Sequence, residues 1–296
     1  MNPLAGIVHM LSHPFVRYAF LAGSAVAAAA GLTGYFLVLR SQVFTADALS
    51  HVAFAGAMAA LAFGADPRLG LFVATVGVAV GMGVLGRRGR PDDVVVGSVF
   101  AWILGLGVLF LTLYTRTGST ANSTASVTVL FGSVFGLSRS HALEAAAISA
   151  GIVVILLLMA RPLLFSSIDG AVARARGVPV TALGLAFLAL AGVTAAEATE
   201  VVGALLLLGL VAAPAGAAQR LTARPYRAMW LSAVLALGAM WAGLTLSYAV
   251  PTLPPSFAII AAASAIYLLA ALVPALRAAR RRGGRVTAAA TPLPAP

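Results

Sequence analysis

No cysteine and no lysine occur in the 296 residues, and charged side chains make up only 9% of the chain. Without cysteine there is no disulfide, no thiolate metal ligand and no thiol chemistry. Without lysine there is no GxxxxGK[ST] phosphate loop, so the chain cannot hydrolyse ATP by that chemistry itself. A membrane-embedded metalloenzyme would need a constellation such as HExxH, and that too is missing. A soluble domain of this length would carry about 25% charged residues. The shortfall excludes water as the solvent for most of the surface.

What is present is apolar. Hydrophobic residues make up 61% of the chain and mean hydropathy is +1.02. Long apolar runs recur from end to end, each near the roughly 20 residues that cross a bilayer as a helix. They predict an all-α polytopic transmembrane bundle of about nine spans. The spans lie near 15–38, 46–63, 69–86, 95–114, 142–160, 180–197, 200–218, 227–249 and 256–274. Segment 127–137 is apolar but too short to span, and reads as a half-helix or re-entrant piece behind the Ser/Thr-rich stretch Thr115 to Thr128. The domain organisation is then a short N-terminal segment (1–14), one membrane domain (15–276) and a tail (277–296) that is first arginine-rich and then, past Gly283, disordered. The first apolar run lacks a small-residue cleavage pattern, so no cleavable signal peptide is expected.

All 19 basic residues are arginine, and net charge is +11. Such a balance can mark nucleic-acid binding, but no soluble basic domain exists here to hold one. The arginines fall instead in gaps between apolar runs: Arg87, Arg88 and Arg90; Arg161, Arg174 and Arg176; Arg220, Arg224 and Arg227; and Arg277 to Arg285 in the tail. Nine spans put these four regions on one side, which the positive-inside rule makes cytoplasmic. The C-terminus is then inside a multi-pass plasma-membrane protein, and the N-terminus outside.

Few ionisable groups lie within spans, so each carries information. Asp47 and His51 stand four residues apart, which places both on one helix face. A carboxylate and an imidazole there can share a divalent cation such as Zn or Mn. The competing reading is a structural Asp–His hydrogen bond near a helix start. Two ligands do not complete a coordination shell, but a two-fold dimer would double them. Glu197 and Glu200 open a later run, either as an acidic mouth for cations or as a solvated interfacial pair; Glu200 is the candidate metal-path residue of the two. Asp92 and Asp93 fit a helix start, where carboxylates favour the dipole. His9, His13 and His141 read as interfacial groups that are not ligands. Segment 166–179 predicts a short Ala/Arg helix capped by Asp169, running through Ala173 and stopping at Gly177. Such a helix can dock into another protein, or be an ordinary surface turn. Gly77, Gly81 and Gly83 predict close helix contact, and Pro214 a kink.

Four stretches and the C-terminal spans together resemble the ABC-3 family of metal permeases. Asp47-Ala-Leu-Ser-His51 with Gly56 is similar to its GDALSHA…PG signature, with Ala46 in place of glycine. Asp92-Asp93 with Gly97 resembles its ED…IG segment, and Leu130-Phe131-Gly132 its LFG turn. Val202-Gly203-Ala204-Leu205-Leu206 with Pro214-Ala215 and Ala217-Ala218 resembles its VGxLLxxxxLxxPAATA helix, with Pro-Ala-Gly-Ala at its core. Gly243-Leu244, Ser247-Tyr248 and Pro255 to Ile259 resemble its GLxxSY…PxGxxI ending, although its PTG reads Pro254-Pro255-Ser256. The resemblance covers nearly the whole chain. It implies a homodimeric permease, a cytoplasmic ATP-binding subunit on each protomer and an extracytoplasmic metal-binding protein. No cofactor is implied beyond the transported metal. It promotes Asp47 and His51 to metal-path residues and Asp169, Ala173 and Gly177 to an ATPase-coupling loop. The alternative is a secondary metal carrier that works without an ATPase, yet no inverted repeat of broken helices is evident.

Overall fold

A computed structural model describes residues 10, 12–86, 89–116, 129–130 and 132–289, with side chains placed as far as 273. Among the described residues ten α-helices form: α1 (Pro14–Leu39), α2 (Val43–Ala62), α3 (Pro67–Leu85), α4 (Asp93–Arg116), α5 (Arg139–Ile168), α6 (Gly170–Ala175), α7 (Val180–Val202), α8 (Leu207–Leu221), α9 (Pro225–Ala249) and α10 (Pro255–Ala289). All but α6 are long and apolar enough to cross a bilayer, α8 counting with the 3-10 turn Ala204–Leu206 that leads into it and α10 over Pro255–Val273. The nine expected spans are there.

Helix ends follow local chemistry. Asp66 accepts from the Arg68 N–H and Pro67 takes the first turn of α3, where a missing N–H costs nothing. Asp92 accepts from Val95 N–H at the start of α4, as its position predicted. Ser138 caps α5. That helix runs on through Pro162 to Ile168, so 166–168 close the span and the connecting loop starts only at Asp169. At the other end of the chain, helix continues past Gly283 to Ala289, where disorder was expected. The Ala/Arg composition before and after the glycines favours helix enough to carry it on. Of the expected half-helix at 127–137, the 3-10 turn Val134–Gly136 is present. The Ser/Thr stretch 117–128, Phe131, His9, Arg87 and Arg88 lie outside the described residues.

Helix α1 is central. It packs against α5, α7, α8 and α9, while α2 packs against α3 and α4. Apolar burial cannot drive helices together inside lipid, so close backbone approach and polar contacts carry the association. Ser232 of α9 donates to the Gly31 carbonyl of α1 at 2.6 Å, and the buried Thr33 and Thr194 hydroxyls of α1 and α7 lie 3.2 Å apart. Gly56 and Gly70 sit face to face, so that a Cβ on either would strike the other's carbonyl oxygen. The anticipated glycines serve differently. Gly83 does meet Leu185 and Leu188 of α7, but Gly77 and Gly81 face open space. Spacing alone does not say which side of α3 is packed. Replacing Gly56 with valine should therefore separate α2 from α3, and overpacking costs about 1–3 kcal/mol or more. Loss of monodisperse protein after extraction, with Gly77→Val unaffected, is the expected result.

The connections sort into two ends. At one, Arg90 Nη2 donates to the Ser166 carbonyl at 3.0 Å, and Arg40 lies close enough to feel the Arg90 charge. At the other, Asp66 and Arg68 meet His141, Glu144 and Glu200. The first is the arginine-rich end, and the second its opposite.

Candidate functional site

Three places hold groups that can do chemistry. The first is on α2. Asp47 and His51 are both half-buried on one side of the helix. His51 packs edge-on against Phe100 of α4 at 5.1 Å between ring centroids. The residue before it, Ser50, donates to the Asp47 backbone carbonyl rather than to its carboxylate. Among the described residues no hydrogen bond joins the Asp47 and His51 side chains, so the structural pair offered as the competing reading does not form. The i, i+4 spacing delivers a shared, partly open face, as expected.

The second place is the segment after α5. Asp169 caps α6 by accepting from the Ala171 and Val172 N–H groups, both at 2.9 Å. Ala173 is fully buried and fastens α6 to the bundle, while Ala171, Val172, Arg174 and Arg176 are exposed. Gly177 has φ +82° and donates to Arg174 O at 2.9 Å; Val178 N–H returns to Ala173 O at 3.0 Å. This is the left-handed stop that closes a helix with glycine. Beside α6 a largely apolar groove of about 510 Å³ runs between Arg161, Phe165, Ile168, Val178, Pro225 and Tyr226. Arg40 lies at the same end, buried over the Phe187 ring, with Nε donating to Gln42 at 2.9 Å. Burial, and then Arg90, lower its pKa to about 10, so it stays charged at neutral pH.

The third place was only half visible in the sequence. Glu200, near the end of α7, lies 3.0 Å from Arg68 Nε and 3.8 Å from His141 Nδ1. Arg68 also pairs through Nη1 with Glu144. Glu197, one turn deeper on α7, is 1% exposed, and neither of its carboxylate oxygens has a hydrogen-bond partner among the described residues. Arg68, His141 and Glu200 border a cavity of about 280 Å³ that also touches Ala57, Asp66, Leu71 and Thr199. Arg68, Glu144 and His141 were missed as members of this group. Contact between residues 76 or 59 positions apart leaves no mark in one sequence. The scarcity of glutamate was the available signal: all three in the chain are here. The structure does not bring Glu200 together with Asp47 and His51. Among the described residues, no three His, Asp or Glu side chains stand close enough to hold a metal.

The pattern of the ABC 3 transport family matches residues 12–274. The manganese transport system membrane protein MntC of Halalkalibacterium halodurans is 28% identical over 78% of this chain and 76% of its own length. A probable iron transport system membrane protein of Haemophilus influenzae is 26% identical over 82% of this chain and 88% of its own. Among solved structures, PsaBC from Streptococcus pneumoniae in complex with Fab superimposes with a TM-score of 0.77 at 22% identity, over 90% of this chain and 95% of that one. An inward-facing metal-chelate type ABC transporter gives 0.65 at 17% identity, over 90% of both. These two likenesses are of fold.

Proposed function

We propose, since the chain belongs to the ABC 3 transport family, that it is the membrane-spanning subunit of an ATP-driven importer of a divalent metal, with manganese as the cargo. The family assignment takes the place of the secondary-carrier alternative. The observation that carries the reading inside this chain is the Asp47/His51 face of α2, half-open and not closed by a hydrogen bond between the two. Its oxygen and nitrogen donors suit Mn, Fe and Zn alike. Relatives named for manganese and for iron transport favour the first two over zinc.

The working unit is a homodimer with an ATP-binding subunit against each α6 and a metal-binding protein at the opposite end. A second copy of α2 across a two-fold axis would supply the ligands that one chain lacks. ATP binding and hydrolysis in the partner move α6. The motion reaches α5 and α7, which it joins, and opens the path to one side at a time. Binding on the path must be weak enough to release the ion. The test is manganese uptake into sealed vesicles holding the chain with its ATP-binding subunit. Uptake should require ATP, and iron should compete. Equal uptake without ATP would refute the reading.

Sidedness has its own check. The arginine-rich end is cytoplasmic in this proposal. The absence of native cysteine permits single-cysteine labelling at two exposed loop positions, Thr252 between α9 and α10 and Arg224 between α8 and α9. Thr252→Cys should react with an impermeant maleimide from outside intact cells, and Arg224→Cys only after lysis. Labelling of both from outside would reverse or break the topology.

A further inference from the structure

We infer that the recess between α3, α5 and α7 is a reception site for the divalent cation, and that Arg68 is the resident cation it displaces. The argument starts from scarcity. The chain has eight acidic residues. The three glutamates, 144, 197 and 200, gather around one guanidinium, and a fourth acid, Asp66, caps the helix that carries it and lies near enough to act on Glu200. They arrive from three separate helix ends, at the end of the bundle opposite the arginine-rich loops. Carboxylates inside or at the edge of an apolar bundle are costly and are kept where they serve an ion path or a partner.

The hydrogen-bonding balance leaves acceptors that a cation can satisfy. Arg68 spends Nη1 on Glu144 and lies with Nε beside Glu200. The Glu200 Oε2 contact is an ion pair without hydrogen-bond alignment, so this oxygen stays unsatisfied. Neither Glu197 oxygen has a donor among the described residues. The Thr199 hydroxyl is wholly buried, borders the cavity and also has no partner among the described residues. Buried polar atoms are nearly always paired, and these are all acceptors or can accept. What the site lacks is positive charge. A divalent ion supplies it more compactly than a guanidinium and meets several oxygens at once.

The donors fit. Glu200 and His141 already stand 3.8 Å apart, and carboxylate oxygens with one imidazole suit Mn and Fe. Among the described residues no three ligands converge, and Arg68 contacts both Glu144 and Glu200. Withdrawal of its side chain lets them close on an ion. His141 and Glu144 are about half exposed, so the ion can enter from water. The recess is also placed to pass the ion on. Ala57 on its wall lies six residues along α2 from His51, roughly 9 Å of helix rise. That the ion is cargo rests on the proposed import function; that the recess binds it does not.

The experiment uses the full chain assembled with its ATP-binding subunit in nanodiscs, without ATP. Manganese binding is followed by loss of the free-ion electron paramagnetic resonance signal. Because Asp47 and His51 are expected to bind as well, all variants are made in the Asp47→Asn/His51→Leu background. Binding should remain there. Glu200→Gln and His141→Ala should each weaken it by about tenfold or more, the range seen when a metal site loses a supporting residue. Arg68→Gln should tighten it severalfold, because the competing cation is gone. A cluster that serves only to hold helices together gives the opposite pattern: Arg68→Gln lowers assembly and leaves manganese affinity unchanged or weaker. Unchanged affinity in Glu200→Gln and His141→Ala overturns the site, and His141→Ala keeps the test open if Glu200→Gln does not assemble. Binding at the recess with no ATP-driven uptake by the unaltered chain would retain the site and remove the import function.

Discussion

Asp47→Asn and His51→Leu should each lower manganese uptake per assembled complex by about ten- to a hundredfold, the scale of losing one charged contact worth ~1.5–3 kcal/mol. Both side chains are half-buried on the same side of α2, and no hydrogen bond links them. A carboxylate facing lipid costs up to roughly 2.5–3.5 kcal/mol at a span's centre on insertion scales, and less toward its ends. A polar path or a second chain against Asp47 would remove that cost. Asparagine keeps the shape and removes the charge. Leucine keeps bulk against Phe100 and removes the imidazole nitrogens. Neither residue touches α6, so assembly with the ATP-binding subunit should be retained. If the pair were only structural, the order would reverse: poor expression and assembly, with near-normal transport per complex. Uptake per mole of complex separates the two, and unaltered values in both variants would remove α2 from the metal path.

The spans were legible because the bilayer imposes one strong requirement, an apolar run of fixed length, and the chain meets it nine times with arginines between. Caps were legible for the same local reason: Asp92 and Asp169 sit next to the N–H groups they satisfy. What failed depended on partners. The sequence offers Gly77 and Gly81 as contacts as strongly as Gly56, but only a neighbouring helix decides, and it decides for Gly56 against Gly70. The fifth span read as 142–160, yet α5 continues through Pro162 to Ile168, with only the one hydrogen bond lost that the proline ring removes. His141 looked like a solitary interfacial group, until α5 and α7 brought it beside Glu200. The α2 and α6 groups could be found in advance because each lies within one turn or one short loop. The recess around Arg68 could not, because it joins three segments far apart in the chain.

Gly177→Val should uncouple transport from ATP hydrolysis, and the environment of the residue makes the outcome interpretable. Gly177 takes φ +82°, a conformation that costs an L-residue roughly 1–2 kcal/mol and suits a β-branched side chain worst. No atom lies within 4 Å of the position a Cβ would occupy. A valine there strains the backbone without striking a neighbour, so the effect reports the turn and not a steric clash. The turn holds two bonds, Gly177 N–H to Arg174 O and Val178 N–H to Ala173 O. If both loosen, the C-terminal half of α6 loses its fixed direction while buried Ala173 and the Asp169 cap still hold the rest. The partner would then be held by a helix that no longer transmits its motion to α7. The expected result is uptake reduced about tenfold, corresponding to ~1.4 kcal/mol, with the spans folded and ATPase activity of the complex no longer stimulated by metal. Gly177→Asn is the control, because asparagine tolerates the left-handed region, and it should restore most of both activities. Full uptake with normal stimulation in Gly177→Val would make α6 an ordinary surface turn. Loss in Gly177→Asn equal to that in valine would mean that the bare backbone surface of glycine, and not its φ, is what the partner reads.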